Sequence, residues 1–317
     1  MRFVDSSVID LEGLKIINDP ELRGTLERLG RVVMQRTPEE TKQTLELERK
    51  TAQVIQLPLW PEPVRGAPNS FLRSALFAAI QGKGRRALKY DLLGSIHGLT
   101  IKFTGWQLDQ SDLDVWEQAV HLARLHPLGN ICQFTANAFL KAIGRSNGKR
   151  DYEWLHGVIT RLVACAVEIR RGSKVFTGSL LSSCARDEAT GVYKMTLDPD
   201  MIKLYGSADW TGIEWEQRQQ LRSKPLALWL HGYYASHAAP LPVKVETLRM
   251  LSGSRTAELW KFRQLLRAAL GELETIGAIE AWEIDDNDLV HISRGKGITD
   301  SQRRHLTRPQ GSRSHKK

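Results

Sequence analysis

Two stretches of this 317-residue chain carry the same order of secondary-structure elements. Each begins with a short helical segment, passes through a polar turn into a longer amphipathic helix, and ends in alternating residues that indicate strands. The short and long helices are predicted at residues 134–143 and 151–166 in the first copy, and at 243–251 and 256–276 in the second. A helix, turn, helix and strand hairpin form a module whose second helix fits a DNA major groove. A tandem pair in one chain predicts that the protein recognises a long, non-palindromic DNA site.

The charge of the chain agrees with a polyanionic partner. Lys and Arg number 45 against 36 Asp and Glu, which gives a net charge of +9 and a pI near 9.5. A basic patch is the electrostatic footprint of nucleic-acid binding, although a basic soluble protein of another kind has the same composition. No apolar run approaches the ~20 residues of a membrane span, and residues 1–5 lack the apolar core of a signal peptide. A cytoplasmic protein with no membrane partner is therefore expected.

Changes in composition predict five segments: a charged helical arm, a proline-rich linker, a first domain, a second domain and a basic disordered tail. In chain order they are residues 1–55, 56–68, 69–206, 213–294 and 295–317. The predicted fold class is α+β, with two tandem winged-helix domains built on small antiparallel sheets. Local patterns further predict helices at 71–80 and 214–237, a strand at 99–104, and a helix capped by residues 111–114.

The long helix of the second copy has two faces. At 100° per residue, an apolar stripe faces the core and consists of Leu259, Phe262, Leu266, Ala269, Leu270 and Leu273. The opposite face carries cations, an amide, hydroxyls and an outward tryptophan. These groups suit contacts with base edges and phosphates. The alternative is an ordinary solvated helix face, which has a similar composition. The predicted DNA-binding residues of this copy are Ser254, Arg255, Thr256, Trp260, Lys261, Arg263, Gln264 and Arg267.

The first copy places its cations differently. They crowd before the long helix and in the strands that follow it, at 167–171, 175–180 and 191–197, where the wing is predicted. Cations at a helix N-terminus and in a wing suit phosphate anchoring more than base reading. The predicted DNA-binding residues of this copy are Arg145, Ser146, Asn147, Lys149, Arg150, Arg170, Arg171 and Lys174.

The sequence predicts no catalytic residue, no cofactor and no metal site. Residues 144–150 space their glycines differently from a nucleotide-binding P-loop and have no hydroxyl after Lys149. Cys132, Cys165 and Cys184 lie far apart, which favours reduced thiols. Asp285, Asp286 and Asp288 form an acidic group that a solvated hairpin turn explains, and a metal-dependent nuclease is the alternative.

Three runs of residues, at 69–77, 105–116 and 226–234, resemble the TrfA replication initiators of broad-host-range plasmids. The resemblance covers roughly residues 55–295. It implies a tandem winged-helix initiator that binds direct repeats, called iterons, in double-stranded origin DNA. Such an initiator opens the adjacent A+T-rich DNA, and the single-stranded DNA formed there is a further partner. It also implies recruitment of a host initiator, a replicative helicase and a sliding clamp, with active monomers and with dimers that limit copy number. A winged-helix transcriptional repressor is the alternative function.

A short motif precedes the first domain. Gln56, Leu57, Leu59 and Trp60 are similar to the QLxLF pentapeptide by which bacterial proteins bind the sliding clamp, with Trp in place of Phe. A proline-stiffened peptide loses little entropy on docking, and Leu59 and Trp60 can fill an apolar pocket. The alternative is an apolar clasp that packs on the first domain.

Overall fold

The computed structural model describes residues 57–81, 84–126 and 129–294. The arm predicted at 1–55, Gln56 and the tail predicted at 295–317 lie outside these ranges. Within them, no helix combines the length and the apolar character required to span a bilayer.

The first described elements are strand β1 (Val64–Pro68), helix α1 (Asn69–Leu72) and strand β2 (Phe77–Ala78). The prediction of a helix over 71–80 is therefore wrong. The backbone N–H of Ala75 donates to the carbonyl of Gly94, and that of Ala79 donates to the carbonyl of Ser252. These long-range partners replace the i−4 carbonyls that a continuing helix would use.

Strands β3 (Ala87–Leu93) and β4 (Leu99–Trp106) form an antiparallel pair, which confirms the strand predicted at 99–104. The two-residue strand β5 (Leu108–Asp109) pairs with β2 in parallel and leads into helix α2 (Gln110–Ala123). Asp109 is the N-cap of α2 and forms a capping box with Asp112, so the cap begins two residues earlier than predicted.

The first repeat unit consists of α2 and the elements that follow it. In chain order these are β6 (Ile131–Thr135), α3 (Ala136–Ala142), α4 (Lys149–Val163), β7 (Ala166–Arg171), β8 (Lys174–Gly178), β9 (Leu181–Arg186) and β10 (Val192–Leu197). The hairpin β9–β10 forms a three-stranded sheet with β6, in the order β6–β10–β9. The hairpin β7–β8 is an insertion that joins the other sheet, in the order β3–β4–β7–β8.

This arrangement corrects the predicted wing. Strands at 167–171 and 175–180 belong to the four-stranded sheet, because Val167 and Ile169 are buried opposite Phe103 and Ile101 of β4. Only the strand predicted at 191–197 lies in the hairpin that follows α4 on the β6 sheet. Its partner is β9, whose sequence Leu-Ser-Ser-Cys-Ala-Arg has a weak apolar alternation.

A short helix α5 (Pro199–Ile202), a 3-10 helix (Lys203–Ala208) and strand β11 (Trp210–Glu214) return the chain to its described start. β11 pairs antiparallel with β1 along its full length. The segment predicted as a linker at 56–68 is thus attached to the first unit by the strand β1 and by the buried side chains of Leu57 and Trp60.

Two helices follow instead of the one predicted at 214–237: α6 (Trp215–Gln220) and α7 (Pro225–Ala235). The break has a local cause, because Ser223 adopts a positive φ of 67° and Pro225 cannot donate a backbone hydrogen bond. Pro225 instead occupies the first turn of α7, a position at which its fixed φ is favourable.

The second repeat unit consists of α7 and the elements that follow it. They are β12 (Val243–Lys244), α8 (Val245–Leu251), α9 (Leu259–Thr275), β13 (Ala281–Ile284) and β14 (Leu289–Ser293). Its sheet has the order β12–β14–β13, which repeats the order β6–β10–β9 of the first unit. Apart from the β7–β8 insertion, the two units share one topology: helix, strand, helix, helix and hairpin.

Each unit has its own apolar core. The first is built around Trp116, Phe139 and Leu162, and the second around Trp229, Phe262 and Leu270. A buried cation connects them, since Arg218 of α6 lies 2.7 Å from Asp114 and 3.2 Å from Glu117 of α2 and also donates to the carbonyl of Leu228 in α7. The coarse prediction of a mixed α and β chain with small antiparallel sheets is confirmed.

Candidate nucleic-acid interface

Helix α9 separates its residues as the sequence predicts. Phe262, Leu266, Ala269, Leu270 and Leu273 are buried in the second core, and Leu259 packs against it while partly buried. The outer face is exposed over two turns, where Trp260, Lys261, Gln264 and Arg267 reach solvent. The N-terminal half of α9 therefore offers a polar, cationic surface.

Trp260 is the largest apolar group on this face. Its side chain is 54% exposed, and the Nζ atom of Lys261 lies 5.3 Å from its ring centroid. Lys261 also lies 3.4 Å from Glu258. The exposed side chains of Gln264 and Arg267 form no hydrogen bond or ion pair with any described residue. An exposed aromatic beside free donors is a surface that a partner can cover by stacking, apolar contact and hydrogen bonding.

Arg263 has a different environment from its neighbours on α9. Its guanidinium forms two bonds to Asp288 in the β13–β14 turn, at 2.8 Å from Nε and 2.5 Å from Nη2. In the same turn, Asp285 accepts the backbone N–H groups of Asn287 and Leu289 and a bond from the imidazole of His291. Asp285 and Asp288 are therefore engaged in holding the hairpin, as the hairpin-turn interpretation predicts. Arg263 fixes that hairpin to α9.

The turn before α9 contains three more predicted residues. The hydroxyl of Ser254 bonds to that of Thr256, and Arg255 donates to the side-chain oxygen of Gln107 at 2.6 Å. Arg255 thus connects the second unit to the first. It lines an open groove of about 830 Å³ together with Arg86, Arg249 and Met250.

The predicted residues of the first unit begin in the turn between α3 and α4. Arg145 pairs with Asp151 at 3.1 Å, and its guanidinium lies 3.4 Å from the ring centroid of Trp154. Ser146 also donates to Asp151, and this bond, followed by that from Arg145, lowers the pKa of the Asp151 carboxyl. These contacts organise the start of α4. In the same turn, Asn147 is exposed and takes no part in them.

Lys149 and Arg150 start helix α4 and are exposed. Lys149 lies 4.0 Å from Glu153, a spacing of little energetic consequence at an exposed site. Further along, the outward residues are Glu153, His156 and Thr160, so this helix is less basic than α9. The cations of α4 lie at its N-terminus, where backbone N–H groups favour an anion.

Arg170, Arg171 and Lys174 lie at the end of the β7–β8 hairpin, on the four-stranded sheet. Their predicted place in a wing is wrong, because β7 pairs with β4 and not with β6. Arg170 lies 3.6 Å from Glu168, and Arg171 forms an ion pair with Asp209. The structure therefore separates these three cations from the β9–β10 hairpin.

Residues of that hairpin are missing from the predicted set. Arg186 and Lys194 are exposed on β9 and β10, and Arg186 lies over the ring of Tyr193 at 5.6 Å. By strand order, the β9–β10 hairpin corresponds to the β13–β14 hairpin of the second unit. The turn at 187–191, with its Asp and Gly, is the sequence feature that marks this hairpin.

The clamp-like motif is packed in this structure. Trp60 is only 5% exposed, donates from Nε1 to His121 at 3.0 Å and lies beside Tyr205 and Trp210. Leu57 is equally buried, whereas Leu59 is 73% exposed. This is the arrangement of the clasp interpretation, and only Leu59 is available to a partner. Gln56 lies outside the described residues.

A neutral histidine holds the clasp. Nδ1 of His121 accepts the bond from Trp60, which leaves Nε2 to donate to Glu62 at 3.0 Å. Burial lowers the pKa of His121 to about 4, in spite of the opposing effect of Glu62. Glu62 also pairs with Arg124 at 2.8 Å, so the segment is held at Trp60 and again two residues later.

Comparison with known proteins places the chain in a family. A model of the family described as TrfA protein matches residues 33–294. The chain belongs to the TrfA family. The plasmid replication initiator protein TrfA of Escherichia coli is 30% identical over 271 residues, which are 80% of this chain and 70% of that protein. The resemblance carried by residues 69–77, 105–116 and 226–234 is thereby confirmed.

Two solved structures are similar at a lower level. Domains 2 and 3 of RctB match with a TM-score of 0.48 and 15% identity, over 65% of this chain and 86% of that chain. The Pi initiator protein, crystallised with iteron DNA, matches with a TM-score of 0.42 and 12% identity, over 58% of this chain and 94% of that chain. At these scores and identities the two similarities carry no functional assignment.

Proposed function

We propose that this TrfA-family chain initiates plasmid replication by binding direct repeats in double-stranded origin DNA through two winged-helix units. Membership of the family supports the role in initiation. The shared strand order, β6–β10–β9 and β12–β14–β13, supports the winged-helix assignment, because each unit presents a helix pair followed by a hairpin.

The DNA-binding mode rests on one observation. On the outer face of α9 the side chains of Trp260, Gln264 and Arg267 are exposed, while the inner face is buried. Amide and guanidinium groups make bidentate contacts to adenine and guanine edges, and the aromatic ring can contact a thymine methyl group. We therefore assign base reading to α9. The cations at the start of α4 are assigned to phosphates.

The binding mode is tested with duplexes that carry the direct repeats beside the chain's own gene. Gel-shift titration should give at least 10³-fold tighter binding to repeat DNA than to a scrambled duplex of equal length, the lower end of the usual range for specific sites. Equal affinity for both duplexes at physiological salt would contradict the proposal.

We further propose that one chain occupies one repeat. Two units in a single chain can reach successive major grooves, about 34 Å apart, without a partner subunit. Native mass spectrometry of the complex with a single repeat should show one protein chain per duplex. Two chains on one repeat would refute this stoichiometry. Dimers that limit copy number are then a separate, DNA-free state.

The later steps of the proposal need no catalytic group in the chain. Binding energy, the host initiator and the helicase together open the A+T-rich DNA. The single strand exposed in this way is a further partner. Of the three candidates for a nuclease, Asp285 accepts backbone N–H groups and Asp288 binds Arg263. The third candidate is Asp286, and nicking with magnesium or manganese that disappears on Asp286→Ala would support the nuclease instead. Clamp recruitment through residues 56–60 requires Trp60 to leave its buried position, so we propose that residues 57–60 form a clasp until a clamp displaces them.

A further inference from the structure

Residues 64–109, which precede α2 and contribute side chains to the first core, are counted here with the first unit. The second unit is attached to them by direct backbone contacts beside α9. The N–H of Ala79, just after β2, donates to the carbonyl of Ser252 at 2.7 Å, and Ser252 is fully buried. The next residue, Gly253, has a φ of +62°, and a Cβ there would lie 2.9 Å from the Cβ of Ala78. The turn that precedes α9 is therefore fixed to the first unit by its main chain.

A second close approach lies at Gly94, between β3 and β4. A Cβ on Gly94 would lie 2.3 Å from the carbonyl oxygen of Met250, near the end of α8. No side chain can occupy that space without moving one backbone away from the other. Gly94 also accepts the N–H of Ala75 at 2.7 Å, so its position is set from two directions.

Three side chains also connect the two units. We call all of these contacts together the unit junction: it joins residues 73–79, Gly94 and Gln107 to residues 229, 236 and 250–255. Trp229, only 2% exposed, donates to the carbonyl of Ser74 at 3.0 Å. Arg73 donates to the hydroxyl of Ser236 at 2.9 Å, and Arg255 donates to Gln107 at 2.6 Å. Buried hydrogen bonds of this kind are lost if the units rotate apart, because their partners would be left unsatisfied.

We infer that the unit junction fixes the distance and angle between α4 and α9, so that the spacing of the two contacted DNA segments is itself a determinant of specificity. This inference rests on the proposed function. A flexible linker would let each unit find its segment over a range of spacings. One inserted base pair moves the second segment by about 3.4 Å and rotates it by about 35° around the DNA axis, and a rigid pair of readers cannot follow.

The test uses a series of duplexes in which the spacer between the two protected segments is changed by one or two base pairs in either direction. Wild-type protein should lose affinity by about 10-fold or more for one inserted or deleted base pair, because simultaneous engagement is lost. A flat response to spacing, with sequence specificity retained, would overturn the inference and leave the proposed function standing. A failure to prefer repeat DNA at all would instead contradict the proposed function.

Two glycine variants form a matched pair for the same series. Gly94→Ala should shift or broaden the preferred spacing, because the new methyl group forces the β3–β4 loop away from Met250. Gly206→Ala adds a methyl group where no described atom lies within 4 Å and should keep the wild-type preference. Identical spacing profiles for the two variants would count against the junction as the positioning element.

A measurement on the free protein covers the case in which Gly94→Ala does not fold. Spin labels introduced by Thr160→Cys on α4 and Ala268→Cys on α9, in a Cys184→Ser background, both occupy exposed positions. Doubly labelled chain is diluted with an excess of unlabelled chain, so that only distances within one chain are detected. Pulsed electron resonance should then give one narrow distance distribution without DNA. A broad or bimodal distribution would overturn the rigid junction whatever the DNA result.

Discussion

Arg263 and Asp288 form a bidentate ion pair that connects helix α9 to the β13–β14 turn, with Nε and Nη2 at 2.8 and 2.5 Å from the two carboxylate oxygens. Asp288 has a positive φ of 58°, so the turn itself adopts a conformation that needs support. The pair identifies Arg263 as a residue that holds the hairpin, in contrast to Arg267 one turn later.

The first prediction separates these two arginines. Arg263→Ala should lower the melting temperature, because the hairpin loses its fixed contact with α9, and Asp288→Asn should lower it by a similar amount. The double variant should be little worse than either single one, since both remove the same interaction. Arg267→Ala should leave the melting temperature unchanged. Fully additive losses from Arg263→Ala and Asp288→Asn would show that the pair does not act as a unit.

The second prediction concerns base reading against phosphate anchoring. Gln264→Ala and Arg267→Ala should each change the preferred base at one position, at a cost of about 1–3 kcal/mol per lost base contact. Lys149→Ala and Arg150→Ala should weaken binding to all sequences and reduce the slope of log K against log salt. Selection from a randomised repeat library, together with salt titrations, distinguishes the two patterns. Sequence-blind losses from both pairs would refute the division between α9 and α4.

The third prediction concerns the Trp60 clasp. Trp60→Ala should reduce the free energy of unfolding by about 3–5 kcal/mol, as expected for a buried aromatic, whereas Leu59→Ala should change it by less than about 0.5 kcal/mol. Urea unfolding measures both. Surface plasmon resonance with the sliding clamp then asks whether the exposed Leu59 contributes to a partner contact. Clamp affinity that is unchanged in Leu59→Ala and in Trp60→Ala would mean that the segment is a clasp alone.

The fourth prediction follows from histidines that are buried in the neutral form. Burial lowers the pKa of His231 to about 3 and that of His121 and His237 to about 4, from a usual 6.5. Because the unfolded state then binds protons more readily, the stability is fully present above pH 6.5 and is lost as pH falls towards 4. For His231 alone the loss at pH 4 should be on the order of 3 kcal/mol.

Urea unfolding between pH 4 and pH 7 checks this dependence. His231→Gln should flatten the fall in stability on acidification, whereas His156→Gln, at an exposed position on α4, should leave the slope as in wild type. A wild-type slope in His231→Gln would show that other groups carry the acid sensitivity.

The parts of the fold that could be predicted are those set by local periodicity. The core stripe of α9 follows from the 3.6-residue repeat of Phe262, Leu266, Ala269, Leu270 and Leu273, and the structure buries all five. The two helix pairs were recognisable for the same reason. Most element ends moved by a few residues, because capping and turn geometry decide them.

The parts that could not be predicted depend on partners distant in sequence. The packing of Val167 and Ile169 on the first core decides that β7 pairs with β4 and not with β6. The alternation of apolar and polar residues along β7 would be the same in both pairings. The false helix at 71–80 has the same origin, since Ala79 donates to Ser252, more than 170 residues later along the chain. For the candidate site, Arg263 and Arg267 look alike in sequence, and only the position of Asp288 distinguishes them.

Replication of a mini-plasmid that carries the repeats and the A+T-rich region is the direct assay of initiation by this chain. The chain is supplied in trans, and plasmid copy number is measured for wild type, Arg267→Ala and Gly206→Ala. If the chain is an initiator, wild type and Gly206→Ala should support stable replication, and the plasmid should be lost with Arg267→Ala. Wild-type protein that binds the repeats and silences a reporter promoter, yet never supports replication, would contradict it and establish the transcriptional repressor in its place.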